Sequence, residues 1–312
     1  MLRSSLRLGV AELARAASLP AQLFAPVPAR EAFLESLRQR NAVFDWLYYD
    51  VSCVEPEEAV RIAPRWAAEG AILTVPPTGA GPLRICTSID AFLESGGSEI
   101  STLTVAGVGS SALGAAAFAR NVADAITAPV AAVVSGFGLA DVATEALGGF
   151  FLFGTINRLR HAFEGLDRLT QPAIVSDPSD WLDGAGAWLL SQSRDTRTVL
   201  ALLEHEDLSF DLLAGHSKGN LVISEALFDL REHDHARMRS LAEKAKIVTI
   251  GACILMPTGF EVIDVMGEWD ALGLLNSDRT IKIDHWIAGA DHHTNTERWH
   301  HLPVTKTLAA VL

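Results

Sequence analysis

One short run in this chain of 312 residues restricts its fold more than any other: Gly215-His216-Ser217-Lys218-Gly219. The apolar residues 208–214 precede it and indicate a strand, and residues 221–227 follow at once with a composition typical of a helix. The glycines matter because a side chain at either position would crowd the neighbouring strand or helix. This order predicts a sharp strand-to-helix turn, the nucleophile elbow, with Ser217 exposed at the turn.

From residue 100 onward, apolar runs of strand length alternate with stretches of helix length. This alternation is typical of a parallel sheet covered by helices on both faces, so we predict an α/β fold with a mostly parallel sheet. The predicted core spans residues 96–312, and residues 1–95 form an extension of helices and strands packed on it. The strands predicted for the core are 101–106, 129–134, 208–214, 246–252, 261–266 and 280–288.

The extension begins with a predicted helix over residues 1–25, whose apolar positions follow a helical spacing. Such a helix either packs on the domain or makes a peripheral contact with a surface. The aromatic-rich residues 43–54 are predicted to form a strand. The remaining predictions here are helices at 29–40, 55–69 and 90–95 and strands at 71–75 and 83–87.

The interval between residues 135 and 207 is too long for a single crossover between two strands. It contains a glycine- and phenylalanine-rich run, followed by amphipathic stretches. Residues 148–194 are therefore predicted to be a lid-like insertion that covers the serine or, alternatively, extra helices that complete the core.

The composition limits the kinds of molecule that the protein is expected to bind and the cellular compartment in which it is expected to lie. A net charge of −13 argues against binding nucleic acid and favours a neutral or hydrophobic substrate. Cys53, Cys86 and Cys253 lie in apolar runs without metal-binding spacing, which predicts reduced core residues in a cytoplasmic protein. The chain has no apolar stretch of about 18 residues and no long apolar segment near its N-terminus, so we expect neither a membrane-spanning helix nor a secretory signal.

A serine that attacks an acyl group needs a base to take its proton and an acid to orient that base. In elbow-containing folds these groups follow in the order Ser, Asp or Glu, His. Asp270 lies four residues beyond the strand predicted at 261–266, at the carboxyl edge of the sheet where ligands bind in open α/β folds. We predict Asp270 as the acid, with Asp264, Glu268 and Asp278 as alternatives.

Histidines follow the last predicted strand, where the base is needed. His292 is the predicted base and its neighbour His293 is the alternative, because one of the two must point towards the serine and the other away. His300 and His301 lie further along the chain and are weaker candidates. His216 adjoins the serine but is held on the other side of the elbow.

Backbone N–H groups are expected to stabilise the negative charge that develops on the substrate oxygen. The amide of Lys218, the residue after the serine, is one predicted donor to this oxyanion hole. The other is predicted in the glycine-rich loop after the strand at 101–106, at Gly109 or Ser110.

Three segments together resemble the α/β-hydrolase superfamily, nearest to its lipase and esterase branch: Gly215-His216-Ser217-Lys218-Gly219, Gly267-Glu268-Trp269-Asp270 and Gly289-Ala290-Asp291-His292. The resemblance covers about residues 100–312. It implies that Ser217 is the nucleophile, His292 the base and Asp270 the acid, in an enzyme that cleaves a carboxylic ester through an acyl-enzyme and needs no cofactor. The hydrophobic composition favours an apolar or lipid-like ester. Thioesters, amides and acyl transfer to an alcohol would use the same groups.

Three other interpretations stay open at this point. Gly107-Val108-Gly109-Ser110-Ser111-Ala112 matches a dinucleotide-binding pattern, although the next predicted strand is not followed by the carboxylate which that pattern requires. The chain could also be a non-catalytic binding protein built on a hydrolase-like scaffold. A metal site is the third, although these residues lack zinc-type spacing: Asp284, His285, Asp291, His292, His293, His300 and His301.

Overall fold

The computed structural model describes residues 2–22, 42–63, 69–107, 111–135 and 194–312. Its strands are β1 (Ile72–Val75), β2 (Arg84–Cys86), β3 (Thr102–Val105), β4 (Val130–Val133), β5 (Leu212–His216), β6 (Lys246–Ile250), β7 (Glu261–Gly267) and β8 (His285–Ile287). Its helices are α1 (Leu2–Gln22), α2 (residues 42–48), α3 (Pro56–Ile62), α4 (Ile89–Glu94), α5 (Ala112–Ile126), α6 (Arg194–Glu204), α7 (Lys218–His233), α8 (His235–Ala242), α9 (Ala271–Asn276) and α10 (Val304–Val311).

The eight described strands form one sheet in the order β2-β1-β4-β3-β5-β6-β7-β8. Strand β1 is antiparallel to both of its neighbours, and every other pairing is parallel. The prediction of an α/β fold with a mostly parallel sheet is therefore confirmed. Because β5, β6, β7 and β8 run side by side in the same direction, the loops that follow them meet at one edge.

Both faces of the sheet are covered, because alternate residues of each strand point to opposite sides. On one face, Leu212 and Ala214 of β5 pack in a hydrophobic cluster with residues of α3, α5 and α10. On the other face, Leu213 of the same strand packs with residues of α6, α7 and α8. Buried on both sides, β5 holds the residue that follows it in a fixed position.

The prediction of a strand over residues 43–54 is wrong. Residues 42–48 are helical, and Val51–Cys53 form one turn of 3-10 helix. The helix is stabilised by tertiary contacts, since the buried carboxylate of Asp45 accepts hydrogen bonds from the backbone N–H groups of Ser111 and Gly114 in the first turn of α5. Aromatic composition alone favoured a strand, and these contacts override it.

The last predicted strand, 280–288, is also too long: only His285–Ile287 pair with β7. Before it, the side chain of Asp278 accepts hydrogen bonds from the backbone N–H and the hydroxyl of Thr280. This local turn competes with strand pairing and shortens β8.

Helix α1 buries Ser4, Ala11 and Arg15, whereas Leu2 and Leu13 are more than two-thirds exposed. Contact of α1 with a surface stays a prediction. Within the described residues, none of the helices combines the length and the apolar character needed to cross a bilayer. Strands β1 and β2 of the predicted extension belong to the main sheet, and the boundary at residue 95 stays a prediction. All but the last residue of the predicted lid-like insertion, 148–194, lies outside the described residues.

Candidate active site

Ser217 occupies the turn between β5 and α7. Its backbone has φ +54° and ψ −121°, a conformation that L-residues other than glycine rarely adopt and that costs about 1–3 kcal/mol. The surroundings hold it there, because its N–H donates a 2.8 Å hydrogen bond to the carbonyl of Ile250 at the end of β6. The turn places the Ser217 side chain above the carboxyl edge of the sheet.

The two flanking glycines allow this turn to pack closely against its neighbours. A Cβ atom on Gly219 would collide with the backbone carbonyl of Val105 in β3. A Cβ atom on Gly215 would collide with Asn220, whose side-chain amide donates hydrogen bonds to the carbonyls of Ile250 and Ala252. Helix α7 therefore begins in direct backbone contact with the sheet.

Asp270 follows β7 and is fully buried. It caps α9, since its Oδ1 atom accepts a 2.5 Å hydrogen bond from the N–H of Gly273. Its own N–H donates to the carbonyl of Gly267 at the end of β7. The carboxylate is thus fixed at both its backbone and its side chain.

His292 follows β8 and contacts both of the other selected side chains. Its Nδ1 atom lies 2.9 Å from each carboxylate oxygen of Asp270, and its Nε2 atom lies 3.0 Å from Ser217 Oγ. A carboxylate accepts hydrogen bonds, so Nδ1 carries the proton and Nε2 has a free lone pair facing the serine hydroxyl. The structure brings Ser217, His292 and Asp270 into one buried chain of hydrogen bonds.

These hydrogen bonds have the geometry needed to move a proton from the serine. The hydroxyl of Ser217 donates to His292 Nε2, and the carboxylate of Asp270 can stabilise the positive charge that the ring would acquire. All three side chains are shielded, with exposed fractions of 4%, 5% and 0% for Ser217, His292 and Asp270. Burial strengthens the electrostatic interactions among these three side chains.

Lys218 begins α7 directly after the serine. Its backbone N–H is therefore among the N-terminal amides of the helix, where the helix dipole favours negative charge. Its side chain is buried, with Nζ 3.9 Å from the carboxylate of Asp195 in α6. The other predicted oxyanion donors, Gly109 and Ser110, lie outside the described residues.

The other candidate acids have different neighbours. Asp264 lies within β7 and accepts a hydrogen bond from the hydroxyl of Thr249 in β6. Glu268 accepts the N–H of Gly289. Asp278 caps its own turn at Thr280.

The other candidate bases make contacts with groups other than Ser217. The Nε2 atom of His293 lies 3.0 Å from the carbonyl of Trp299, and burial lowers the pKa of this imidazole. His300 is exposed and packs against Trp269 with the two rings tilted by 56° and their centroids 4.4 Å apart. The Nδ1 atom of His301 is bonded to the carbonyl of Arg298.

The metal-site and dinucleotide-site interpretations gain no support from the described residues. Within the parts of the chain that the structure describes, no group of three or more His, Cys, Asp or Glu side chains is arranged to hold a metal ion. The dinucleotide-like pattern at 107–112 includes residues 108–110, which lie outside those parts.

Tyr49, which is not among the residues selected from the sequence, lies next to these residues. Its hydroxyl is 2.9 Å from Nδ1 of His216 and accepts a hydrogen bond from the N–H of Gly107. The Nε2 atom of His216 is 3.0 Å from the carbonyl of His292. No local pattern in the sequence points to Tyr49, because its partners Gly107 and His216 lie 58 and 167 positions away along the chain.

Comparisons with known proteins add no relative. No protein-family model, no curated protein and no solved structure matches the chain.

Proposed function

We propose that this protein is a serine hydrolase that cleaves a carboxylic ester through an acyl-enzyme intermediate, with the α/β-hydrolase fold. The observation that carries the proposal is the buried hydrogen-bond chain from Ser217 through His292 to Asp270. The strained backbone at Ser217 supports it, because such strain concentrates at functional sites. The chain order Ser, Asp, His also agrees with elbow-containing hydrolases.

The reaction begins when Ser217 Oγ attacks the ester carbonyl carbon while its proton passes to His292 Nε2. The C–O bond to the alcohol then breaks, and the alcohol leaves with the proton held by His292. A water molecule repeats the sequence on the acyl-enzyme, giving the free acid and restoring the serine. Asp270 holds the ring and stabilises its charge in both halves of the reaction.

The negative charge on the carbonyl oxygen must be stabilised in each half-reaction. The Lys218 N–H, at the first residue of α7, is one donor in this proposal, and an amide of Gly109 or Ser110 is the second. Loss of a single oxyanion donor in enzymes of this type costs about 10²- to 10³-fold in turnover.

The proposed substrate is a neutral, apolar or lipid-like ester. The net charge of −13 disfavours a strongly anionic substrate, and the chain is 49% hydrophobic. The proposed compartment is the cytoplasm. All three cysteines, Cys53, Cys86 and Cys253, are free thiols, as expected in a reducing environment.

A fluorophosphonate probe tests the proposed reaction without knowledge of the substrate. The serine oxygen would form a bond to phosphorus, fluoride would leave, and the serine proton would pass to His292. We expect stoichiometric labelling of the wild type and none of Ser217→Ala. Ser98→Ala is the control, because Ser98 is exposed on a turn away from the site. Intact-mass spectrometry measures each adduct.

Two results would contradict the proposal. A wild type that remains unlabelled would favour a binding protein on this scaffold, and bound nicotinamide or flavin in the purified protein would favour the dinucleotide interpretation. For a labelled enzyme, p-nitrophenyl esters of graded acyl length would define the substrate. An apolar site predicts that kcat/KM rises with acyl length.

A further inference from the structure

Two consecutive tyrosines are connected to the loop that carries His292. Tyr48 contacts this loop directly, and Tyr49 is joined to it by hydrogen bonds through His216. The carbonyl of Tyr48 accepts a 2.6 Å hydrogen bond from the N–H of Thr294, and its ring meets the His292 ring edge to face, with centroids 5.9 Å apart. These contacts hold the loop on the side that faces α2.

Tyr49 reaches the same loop through His216. A carbonyl oxygen can only accept, so the bond between His216 and the His292 carbonyl requires a proton on His216 Nε2. Burial lowers the pKa of His216 to about 3, so its ring is neutral at ordinary pH and Nδ1 is an acceptor. The Tyr49 hydroxyl therefore donates to Nδ1 and accepts from the N–H of Gly107.

These three hydrogen bonds form a relay in which the donor and the acceptor of each bond are determined. It begins at Gly107, the start of the loop predicted to supply an oxyanion donor, passes through Tyr49 and His216, and ends at the backbone of His292. Tyr49 is 1% exposed, as is His216, so these bonds are shielded from bulk solvent. The ring of Tyr49 also packs against Phe118 and His216.

We propose that Tyr49 and His216 are positioning residues that hold the backbone of His292, and thereby its imidazole, at hydrogen-bonding distance from Ser217. This inference rests on the proposed hydrolase function. Without the Tyr49 hydroxyl, His216 either leaves a buried acceptor unpaired or moves its proton to Nδ1. In the second case a lone pair of Nε2 faces the His292 carbonyl and repels it.

Tyr49→Phe removes one oxygen atom and keeps the packed ring. We expect the rate of fluorophosphonate labelling, and kcat, to fall about 10- to 100-fold, because displacements near 1 Å at a reacting group have effects of this size. KM is expected to change little, since neither residue is placed to bind substrate.

The matched control is Thr104→Val, which also removes one buried hydroxyl from a hydrogen bond. Thr104 Oγ1 donates to the carbonyl of Ala131 between β3 and β4, away from His292. The melting temperature of each variant reports any loss of stability. We expect Thr104→Val to label at the wild-type rate, even where its melting temperature falls as far as that of Tyr49→Phe.

Substitutions of His216 separate a hydrogen-bonding role from a packing role. His216→Gln keeps an N–H that can reach the His292 carbonyl, whereas His216→Phe fills the space without a donor. We expect His216→Gln to label faster than His216→Phe. Equal rates for these two folded variants would overturn the role of His216.

Nitrogen-15 NMR of the wild type tests the relay without any reaction. We expect His216 to be neutral with its proton on Nε2 from pH 5 to pH 8, as its pKa of about 3 requires. A charged ring, or a proton on Nδ1, would overturn the relay. Wild-type labelling combined with an unchanged rate in Tyr49→Phe would overturn only the role of Tyr49. An unlabelled wild type would overturn the hydrolase proposal as well.

Discussion

Strand β7 and the loop after it each hold a buried aspartate, and the two carboxylates have different surroundings. Asp264 lies inside the strand, where Thr249 donates to its side chain and Asp284 accepts its backbone N–H. Asp270 lies beyond the strand end, where it meets His292 and caps α9. Five residues lie between the two positions.

Both carboxylates are buried, so their position relative to the end of the strand, more than their burial, accounts for their different partners. A side chain within the sheet is surrounded by its neighbouring strands, and burial raises the pKa of Asp264 to about 6. A side chain just past the strand end can reach residues from other loops at the carboxyl edge. His292 and His293 both follow β8 and are both buried, and there the direction of the side chain makes the difference: His292 faces Ser217, whereas His293 faces the carbonyl of Trp299.

The histidine pair gives the largest expected effect. His292→Gln should lower turnover by about 10⁶-fold, because loss of the proposed base would disable the proposed triad as a unit. His293→Gln should retain activity, since His293 binds the carbonyl of Trp299 and does not contact Ser217. Single-turnover labelling of both variants measures this directly. An active His292→Gln beside an inactive His293→Gln would move the base by one residue.

The aspartate pair is the next test. Asp270→Asn should lower turnover by about 10⁴-fold, because an amide facing His292 Nδ1 favours the wrong tautomer of the base. Asp264→Asn should leave the labelling rate unchanged. Comparable losses of kcat in the two variants would show that the strand end does not distinguish these carboxylates.

The stability of Asp264→Asn should depend on pH. Burial raises the pKa of Asp264 in the folded protein from its ordinary value of 3.8 to about 6, so wild-type Asp264 contributes stability that is present below pH 4 and is lost as pH rises through 6. The free energy of unfolding should lose about 2 kcal/mol from this group between pH 4 and pH 8. Asp264→Asn should remove that part of the slope in urea titrations. An identical slope in the variant would contradict the raised pKa.

Ser217→Gly gives the smallest expected change in stability and extends the comparison to the elbow. Glycine adopts the backbone angles of Ser217 without strain, so the variant should be about 1 kcal/mol more stable than the wild type while losing all labelling. Ser217→Ala, which keeps the Cβ atom and the strain, is the matched control. A lower melting temperature in Ser217→Gly than in Ser217→Ala would contradict this account.

Much of the downstream half of the fold could be predicted from the sequence, because its signals are local. The apolar run before Ser217 and the glycines around it specify a strand, a turn and a helix within about a dozen neighbouring residues. Asp270 and His292 could be selected because each follows a strand, and parallel strands end at one edge of the sheet.

The contribution of residues 42–54 could not be predicted in this way. Tyr49 and His216 lie 167 residues apart, and a contact over that distance leaves no periodic signal. The aromatic run Phe44-Asp45-Trp46-Leu47-Tyr48-Tyr49 favours a strand by composition. Its helical form depends on Asp45 binding the first turn of α5, which only the tertiary structure shows.

The hydrogen bonds around Ser217 join residues that lie far apart in the sequence, and this separation affects the order in which the parts of the protein fold. The bonds from His292 to Ser217 and from Tyr49 to His216 close loops of 75 and 167 residues. Contacts of such high sequence separation form late, because the entropy of closing the loops is lost before they add stability. During refolding, helical circular dichroism should therefore return before the proposed nucleophile can be labelled, and the hydrogen bonds around Ser217 should be among the last to form.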